Sequence, residues 1–505
     1  MTGITARLTG TASLGVGVFL LTFGVCAFSL VRNRQMGVQD RWFYLGVNLA
    51  ANGVLGQDLE PSVFKPPGYP AFIAAVVRAT VGAPVAASEE PVFARTHELT
   101  TLSAPFDRAF LERAARAVYW SQALALAAAA VLLFYWMLAF CRPEIAFAAA
   151  FVFGTNAYCV LLVGLLQYAV LHMFLLIAAG MTLERAALRR HTVLLLTSGI
   201  LWGAATLVRP VTLLLPPFLL CALLLKARPD YRRSLRQAAL VLLGMILVLA
   251  PYTVRNHRLA GQLVPVSAQT WTSLWAASTA VVETQPNHYR WKVIGIPLRR
   301  IVRRTFPELS KPKPPNPDSL SLAQNLQLED TMKDLALKNL RQRPQVYVEN
   351  SLRSFYSFNV HINAVLIKVY QFVQRPHFRP KAWYMPGHPQ DFYPPSATSA
   401  FTWLIGLLTL LSIVGAVWAL RTGDSALALS GAVYLCLAVG HSITWMDLWY
   451  YYVKMPFVCL FGFYAVDRIQ RWSESRGSRW PWGRLLAGGI VAYSAILTVR
   501  VLWSS

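Results

Sequence analysis

The sequence predicts an all-α polytopic membrane protein, because its composition and its long uncharged runs are incompatible with an ordinary soluble fold. Of its 505 residues, 55% are hydrophobic and only 14% are charged, and the mean hydropathy is +0.43. Several runs are long enough to cross a hydrocarbon core of ~30 Å as helices. The first of these, residues 11–31, contains no charged residue. Such runs need lipid around them, so they are predicted to span a membrane.

About eleven membrane-spanning helices are predicted from these runs. They cover residues 11–31, 115–140, 144–161, 163–183, 192–208, 210–227, 237–253, 401–420, 425–446, 455–467 and 485–503. The first run is full length and lacks a small-residue cleavage pattern, so it is interpreted as a retained span. The predicted domains are a transmembrane module of residues 1–253, a loop domain of residues 254–400 and C-terminal transmembrane helices in residues 401–505. The first module includes an external loop of residues 32–114.

Clusters of basic residues in the short loops predict the orientation. They are Arg185, Arg189 and Arg190, then Lys226, Arg228, Arg232, Arg233 and Arg236, and finally Arg468, Arg471, Arg476, Arg479 and Arg484. By the parity of the spans all three fall on one face, which the positive-inside rule makes cytoplasmic. The amino terminus is then inside, and residues 32–114 and 254–400 are outside. Arginine far outnumbers lysine, which is typical of a GC-rich bacterial genome. The predicted localisation is therefore a bacterial inner membrane.

The formal net charge of +24 would suggest nucleic acid as the partner of a soluble chain. Here cytoplasmic arginines beside anionic headgroups account for much of it, so membrane lipids and no nucleic acid are predicted. The six cysteines lie in or at the edges of spans. They predict neither a disulfide framework nor a cysteine metal site.

The two external segments are predicted to differ in structure. Residues 83–113 form a polar insertion, expected to be a loop with at most a short helix. In the loop domain, Lys311–Ser319 reads KPKPPNPDS, which predicts an extended linker. A helix is predicted over about residues 320–340. The arginine- and aromatic-rich stretch that follows it suits a helix in the membrane interface.

The stretch from Gln39 to Phe72 is the main candidate for a functional site. Asp40 follows the first span closely, and the residues from Trp42 onward have the imperfect amphipathic pattern of a helix lying in the interface. A Pro66-Pro67 turn comes next. Two interpretations are open: an active site, or an ordinary interface helix that Asp40 caps and aromatic residues anchor.

The order of several motifs resembles the GT-C superfamily of integral-membrane glycosyltransferases, in particular the bacterial branch related to lipid A aminoarabinose transferase and protein O-mannosyltransferase. The motifs are Asp40, Tyr44, Asn48 and Leu49 after the first span, PPGYP at Pro66–Pro70, QAL at Gln122–Leu124, LVRP at Leu207–Pro210, PYTVRNHRLAGQLVPVS at Pro251–Ser267, and the helix of Asp330–Phe358. The resemblance covers most of residues 11–470.

The resemblance implies a GT-C-like bundle with external interface helices and a mostly helical external loop domain. It also implies a sugar donor carried on a polyprenyl phosphate and transfer, with inversion, to a lipid, glycan or protein acceptor at the outer face. Such a reaction needs a base for the acceptor hydroxyl, for which Asp40 is the candidate. It also needs cations to hold the departing phosphate.

Four basic residues at the outer ends of helices are candidates for holding the phosphate. They are Lys65, Arg255, Arg209 and Lys454, of which the family pattern favours the first two. Each is equally compatible with an interface anchor, the commoner role of basic residues at helix ends. Tyr44 and Tyr69 are candidates for lining the pocket or for the aromatic belt of the interface.

The sequence departs from the family pattern at two places. Gln167 stands where many relatives carry a glutamate near the fourth span, and DLWYYYVKMPF at Asp447–Phe457 lacks the usual Arg-Tyr, which leaves Lys454 as the nearest cation. The nearest acidic residues, Asp58 and Glu60, do not have the spacing of a metal site. A metal-independent enzyme without cofactors is therefore predicted, with a divalent ion as the alternative.

Two other classes of function stay open at this stage. A transporter or flippase for polyprenyl lipids or glycolipids places ionisable residues at mid-membrane depth and often has inverted repeats, and this sequence has neither feature clearly. An inactive scaffold of the cell envelope is the third class, because Gln167 and Trp449 break the family pattern.

Overall fold

The computed structural model describes thirteen stretches of the chain. They are residues 2–32, 41–57, 60–82, 106, 108–189, 191–226, 231–279, 296–306, 321–360, 395–422, 425–443, 452–477 and 480–504. Asp40, Asp58, most of the 83–113 insertion, the Lys311–Ser319 linker and Trp449 lie outside these residues. The predictions made for them therefore stay predictions.

The described residues are almost entirely helical, as the sequence predicts. In the first half of the chain the helices are α1 (Thr2–Arg32), α2 (Arg41–Asn52), α3 (Gly68–Thr80), α4 (Arg108–Met137), α5 (Pro143–Thr155), α6 (Ala157–Val163), α7 (Ala169–Arg189), α8 (Thr192–Val208), α9 (Leu215–Lys226) and α10 (Tyr231–Ala260). A 3-10 helix, Pro210–Leu214, precedes α9. Two short strands, β1 (Gly56–Gln57) and β2 (Glu60–Pro61), pair antiparallel after α2.

The second half of the chain adds eight further helices. They are α11 (Thr270–Thr279), α12 (Ile296–Thr305), α13 (Leu322–Gln342), α14 (Pro344–Val360), α15 (Pro395–Thr422), α16 (Ser425–Ile443), α17 (Met455–Ser475) and α18 (Trp482–Ser504). The helix predicted near residues 320–340 is α13, and the predicted interface helix after it is α14. Helix α10 continues to Ala260, past the predicted domain boundary at residue 253.

A helix lies at each of the eleven predicted spans, and the protein is a multi-pass membrane protein. Among the described residues, six helices are long and apolar enough to cross a membrane, or seven when the bent pair α5 and α6 counts as one span. Three shorter apolar helices, Thr192–Val208, Pro210–Cys221 and Leu429–Ile443, add to these. The described membrane helices share one large cluster of buried apolar side chains.

The third and fourth predicted spans differ from the structure. The predicted span 144–161 is bent by 49° between α5 and α6, where the Asn156 side chain accepts a hydrogen bond of 3.0 Å from the Tyr158 amide and caps the second helix. The predicted span 163–183 begins only at Ala169, because residues 164–168 form a loop. That loop is as apolar as a helix, so hydropathy does not reveal it.

Helices α8 and α10 approach closely because glycines face each other. A Cβ atom placed on Gly199 would lie 2.1 Å from the Val241 carbonyl oxygen, and one placed on Gly244 would lie 2.4 Å from the Leu196 carbonyl oxygen. Helices in lipid gain their association energy from such close packing, since lipid is as apolar as their side chains.

Charged residues cluster at the end of the bundle where α5 and α18 begin and α17 ends. Asp467 is fully buried, and its carboxylate accepts a hydrogen bond of 2.6 Å from Arg471 Nε and one of 3.2 Å from the Arg142 backbone amide. Arg142 Nη1 also donates to Glu474 Oε1 at 2.6 Å. These contacts join the loop before α5 to α17. Arg471 and Arg484 of the third predicted basic cluster lie at this end, where Arg484 pairs with Glu144 at 3.0 Å. Its cytoplasmic location stays a prediction of the charge rule.

The loop domain has its own small core, in which Glu329 is a buried acid. The core includes Trp275, Val302 and Met332 from α11, α12 and α13. Glu329 on α13 accepts hydrogen bonds from the backbone amides of Trp271, at 2.9 Å, and Thr272, at 3.3 Å. It therefore caps the amino end of α11. Burial raises the pKa of Glu329 to about 6, against the opposing effect of these hydrogen bonds.

We predict that Gly199→Ala destabilises the protein by overpacking the α8–α10 contact, a cost of about 1–3 kcal/mol. Gly24→Ala is the matched control, because a Cβ at Gly24 in α1 meets no atom within 4 Å. Both variants gain the same helix propensity, so their difference in melting temperature isolates the packing term. Equal melting temperatures in detergent would contradict the close contact.

We predict that the loop domain loses stability as the pH rises from about 4.5 to about 6. The folded state holds the Glu329 proton in this window while the unfolded state releases it, so stability falls with increasing pH, by up to about 2 kcal/mol. Glu329→Gln should remove this component. The measurement is hydrogen exchange of residues 270–279, corrected for the intrinsic pH dependence; an unchanged profile in the variant would refute the assignment.

Candidate active site

The segment after α2 is folded by two asparagines. Asn48 is buried, and its Nδ2 donates to the carbonyl oxygens of Val54, at 3.1 Å, and Gly56, at 3.0 Å. Asn52 Nδ2 donates to Asn48 Oδ1 at 2.7 Å. The Asn48 amide satisfies carbonyls that have no helical partner, and so fixes the turn that leads from α2 into the β1–β2 hairpin.

The Pro66-Pro67 turn lies directly against the end of α8. A Cβ atom on Gly68 would be 2.7 Å from the backbone of both Leu207 and Val208. Only glycine permits this approach without displacing the backbone. The contact joins the PPGYP and LVRP motifs and brings Lys65, three residues before Gly68, to the same end of the bundle as Arg209.

Lys65 and Arg209 both contact one pair of aromatic rings. The Trp42 and Tyr168 rings meet edge to face with their centroids 5.3 Å apart. Lys65 Nζ lies 5.5 Å from the Trp42 ring centroid. Arg209 Cζ lies 4.9 Å from the Tyr168 ring centroid, and its Nη1 donates to Tyr168 Oη at 2.6 Å. Cations placed over aromatic faces in this way are attracted by the ring quadrupole.

Two more tyrosines extend this arrangement, and we call Trp42, Tyr69, Tyr168 and Tyr452 the aromatic cluster. Tyr69 is buried, with its ring centroid 6.4 Å from that of Trp42. The Tyr452 ring centroid is 6.1 Å from that of Tyr168. Trp42 stands out in the sequence only as the start of an amphipathic pattern. Tyr168 and Tyr452 do not stand out at all, because in a single sequence they resemble any other aromatic residue near the interface.

Behind the aromatic cluster lie polar groups of the helix ends. His172 is fully buried in α7, and its Nδ1 is 3.0 Å from Tyr452 Oη. His172 is therefore a buried hydrogen-bonding group. Lys454 follows Tyr452 at the start of α17 and is also buried, with 1% of its surface exposed. It belongs to this end of the bundle, but its ammonium is less accessible than those of the other candidate cations.

Gln122 holds the aromatic cluster from the side of α4. Its side chain is fully buried, Oε1 accepts from Tyr69 Oη at 3.0 Å, and Nε2 donates to the carbonyl oxygens of Val163, at 2.9 Å, and Leu165, at 2.8 Å. The two carbonyls flank the start of the loop of residues 164–168, which carries Tyr168. Gln122 thereby positions both Tyr69 and that loop, a role that its place in the QAL motif did not reveal.

Two further candidates from the sequence, Arg255 and Tyr44, contact the protein itself. Arg255 Nη1 donates to the Ser62 carbonyl oxygen at 3.3 Å and to Asn256 Oδ1 at 3.0 Å, and Nη2 lies 3.5 Å from the Leu55 carbonyl oxygen. It therefore holds the hairpin segment that precedes Lys65. Tyr44 is buried on α2 against Phe43, with ring centroids 5.8 Å apart, and its contacts are those of a core residue.

Three acidic residues belong to the segments around the candidate site. Asp40 and Asp58 lie outside the described residues, whereas Glu60 lies in β2. Among the residues that the structure describes, no three His, Cys, Asp or Glu side chains come together as a metal site.

We predict that Gln122→Leu destabilises the protein more than Tyr69→Phe does. The leucine leaves the Tyr69 hydroxyl and two buried carbonyl groups without their partner, each at about 1–3 kcal/mol, whereas the phenylalanine removes one hydrogen bond of about 1 kcal/mol. Melting temperatures in the same detergent provide the comparison. A Gln122→Leu protein that melts with or above Tyr69→Phe would exclude the positioning role.

No protein-family model matches the sequence, and no curated protein matches it. Several solved structures are similar to this chain. The apo form of the Archaeoglobus fulgidus oligosaccharyltransferase has a TM-score of 0.51 at 10% identity, covering 97% of this chain and 56% of that chain. Its complex with Zn and sulfate has a TM-score of 0.47 at 10% identity, covering 95% and 53%. ArnT from Cupriavidus metallidurans bound to undecaprenyl phosphate has a TM-score of 0.34 at 14% identity, covering 92% and 78%.

This chain spans little more than half the length of the archaeal oligosaccharyltransferase. The superposition on the apo oligosaccharyltransferase covers nearly the whole chain and shows that the two proteins share a fold. The protein is a polytopic membrane protein whose helical bundle has the fold of that oligosaccharyltransferase.

Proposed function

We propose that the protein is a membrane glycosyltransferase that moves a sugar from a polyprenyl-phosphate-linked donor to an acceptor hydroxyl, with inversion. One observation carries the proposal. Lys65 and Arg209 come from distant parts of the chain, and both contact the Trp42–Tyr168 pair. Trp42 follows Asp40 by two residues, so chain geometry limits their Cα separation to about 7 Å. Two cations and two aromatic rings thus lie together at one end of a membrane bundle. The proposal adds to them the carboxylate of Asp40.

The cations suit a lipid-linked phosphate. Sugar transfer breaks the bond between the anomeric carbon and the phosphate oxygen, which adds negative charge to the departing polyprenyl phosphate. Cations fixed before the reaction stabilise that charge without reorganising, and low-dielectric surroundings strengthen the effect. The guanidinium of Arg209 has the fork geometry for two phosphate oxygens, and Lys65 supplies a compact second charge.

Asp40 is assigned the role of general base. Its carboxylate takes the proton of the acceptor hydroxyl, the hydroxyl oxygen forms the new bond to the anomeric carbon, and the phosphate leaves from the opposite face. No step is assigned to a metal ion. Gln167, in the loop beside Tyr168, is a hydrogen-bonding residue in this scheme, because an amide neither takes the proton nor binds a divalent cation strongly.

The contacts change the ranking of the phosphate ligands proposed from the sequence. Arg209 and Lys65 are the preferred phosphate ligands, since both contact rings of the aromatic cluster. Arg255 is assigned to holding the hairpin, because its guanidinium donates to the Ser62 and Leu55 carbonyls. Lys454 is a less suitable phosphate ligand, because its side chain is buried. Tyr69 lines the site, and Tyr44 supports α2.

The proposed location is a bacterial inner membrane, with the amino terminus in the cytoplasm and the Lys65 end of the bundle at the periplasmic face. This assignment rests on the basic clusters at the opposite end, which the positive-inside rule makes cytoplasmic. A polyprenyl tail would lie among the spans while its sugar is presented at this face, to a lipid, glycan or protein acceptor.

We predict that Asp40→Asn lowers turnover on a polyprenyl-phosphate sugar by about 10²–10⁴ while donor binding and melting temperature stay unchanged. The amide keeps the volume of the side chain and its capping ability, but does not accept the proton. The measurements are single-turnover transfer and equilibrium binding of the donor by the purified protein. A purely capping Asp40 predicts nearly unchanged turnover.

Arg209→Gln is the complementary variant and should weaken donor binding. Arg255→Gln is its control, since the same charge is removed from a residue that contacts the hairpin backbone. Activity within about threefold of wild type in Asp40→Asn would remove the proposed base. Lipid binding without any transfer, in wild type and variants alike, would favour a flippase, and the absence of both would favour a scaffold.

A further inference from the structure

Helix α12 carries four arginines and no acidic residue in ten positions, IPLRRIVRRT. Its apolar face is used by the loop domain: Val302 is fully buried and packs into the core with Trp275 and Met332. On the other face, Arg300, Arg303 and Arg304 are exposed. Their spacing of three and four residues places them side by side on the helix, and we call these three residues the arginine face.

The arginine face differs from the neighbouring helices in its charge balance. Helix α13 alternates Asp330, Lys333, Asp334 and Lys338, so its charges offset one another. On α14, Glu349 and Arg353 form an ion pair. Among the described residues, by contrast, no ion pair or hydrogen bond involves the arginine face. Like charges four residues apart, such as Arg300 and Arg304, disfavour a helix, so this arrangement is an unbalanced charge within the domain.

The loop domain as a whole is basic. Residues 254–400 contain nineteen lysines and arginines and eight acidic residues, a net charge of +11 out of +24 for the chain. Topology does not require this excess, because long loops cross the membrane largely regardless of their charge. An excess of this sign instead attracts anionic partners and accelerates their association.

Continuous packing connects the arginine face to the candidate active site. Helix α12 shares its core with α13, and the first turns of α13, at Leu322 and Leu326, pack with Val63 and Val264. The Ala268 amide donates to the Val63 carbonyl oxygen at 2.8 Å. Val63 is two residues from Lys65, so the loop domain is attached at the end of the bundle that holds the aromatic cluster.

We propose that the arginine face docks a polyanionic chain, with repeated phosphate or carboxylate groups, as the acceptor of the transfer; this rests on the proposed function. Guanidinium groups are the side chains best suited to such groups, which they bind through paired hydrogen bonds. A membrane surface is the less suitable partner. Amphipathic helices bind membranes by burying their apolar face, and the apolar face of α12 is already packed against Trp275 and Met332.

The test is equilibrium binding of two end-labelled probes, inorganic polyphosphate and poly-L-glutamate, to the purified protein in neutral detergent. The variant is Arg300→Gln/Arg303→Gln/Arg304→Gln. The control is Arg232→Gln/Arg236→Gln/Arg476→Gln, which removes the same charge from exposed arginines at the opposite end. We expect wild type and control to bind at least one probe alike, and the variant to bind it at least tenfold more weakly. The slope of log K against log salt should fall by about two.

Several results would overturn the proposal. If the variant binds the polyanion as tightly as wild type does, the arginine face is not the binding site. If the control binds as weakly as the variant, the binding depends on the overall charge of the protein and not on this face. Failure of wild type to bind either probe, with variant-sensitive binding to phosphatidylglycerol but not phosphatidylcholine vesicles, assigns the face to the membrane. If the triple variant melts early, Arg303→Gln replaces it, with an expected fall in slope of about 0.7.

Donor binding separates this proposal from the proposed function. The triple variant should bind the polyprenyl-phosphate sugar as wild type does. A wild-type protein that binds the polyanion through the arginine face, but never binds or turns over the lipid donor, retains the docking surface and loses the glycosyltransferase assignment. If the triple variant transferred sugar to the tested acceptors as fast as wild type does, the arginine face would have no role in acceptor binding. The proposed glycosyltransferase function would be unaffected by that result.

Discussion

The geometry of the candidate site depends on one buried amide, that of Gln122. A loop at the end of a membrane bundle exposes carbonyl groups that lipid cannot satisfy, so the protein must satisfy them internally. Gln122 does this for Val163 and Leu165 and accepts a hydrogen bond from Tyr69 with its remaining oxygen. The position of Tyr168, and through it the partner of Arg209, therefore depends on a residue of α4.

The sequence predicted the helices well because the need for lipid is recorded directly in uncharged runs. It did not predict the break at Asn156 or the loop of residues 164–168. Both lie within a nearly continuous apolar stretch, in which hydropathy does not distinguish a helix from a loop. A loop forms there only because a side chain of another helix, such as Gln122, donates hydrogen bonds to its carbonyl groups. Gly68 presents the converse case: its place in PPGYP was evident, but its contact with Leu207 and Val208 depends on how α3 meets α8.

The same limit applies to the candidate cations. A basic residue at a helix end has one appearance in a sequence, whether it anchors the helix, holds a loop or binds an anion. Contacts separate these cases. The donors of Arg255 are directed at carbonyl groups of the hairpin, whereas Arg209 and Lys65 lie over the rings of the aromatic cluster. The sequence placed Arg255 ahead of Arg209 because motif order contains no information about which backbone groups lack partners.

The two ends of the bundle differ in a way that favours chemistry on one side over transport. Alternating access requires the membrane helices to separate at each end in turn. At the end opposite the site, Asp467 is fully buried between Arg142 and Arg471. Opening this end would separate Asp467 from the backbone amide and guanidinium of Arg142, while Arg471, four residues along the same helix, would stay beside it. The glycine contact between α8 and α10 adds to that resistance, since its backbones are too close to slide past each other. A glycosyltransferase needs only the end with Lys65 and Arg209 to be accessible, and a closed opposite end keeps those residues in fixed positions around the departing phosphate.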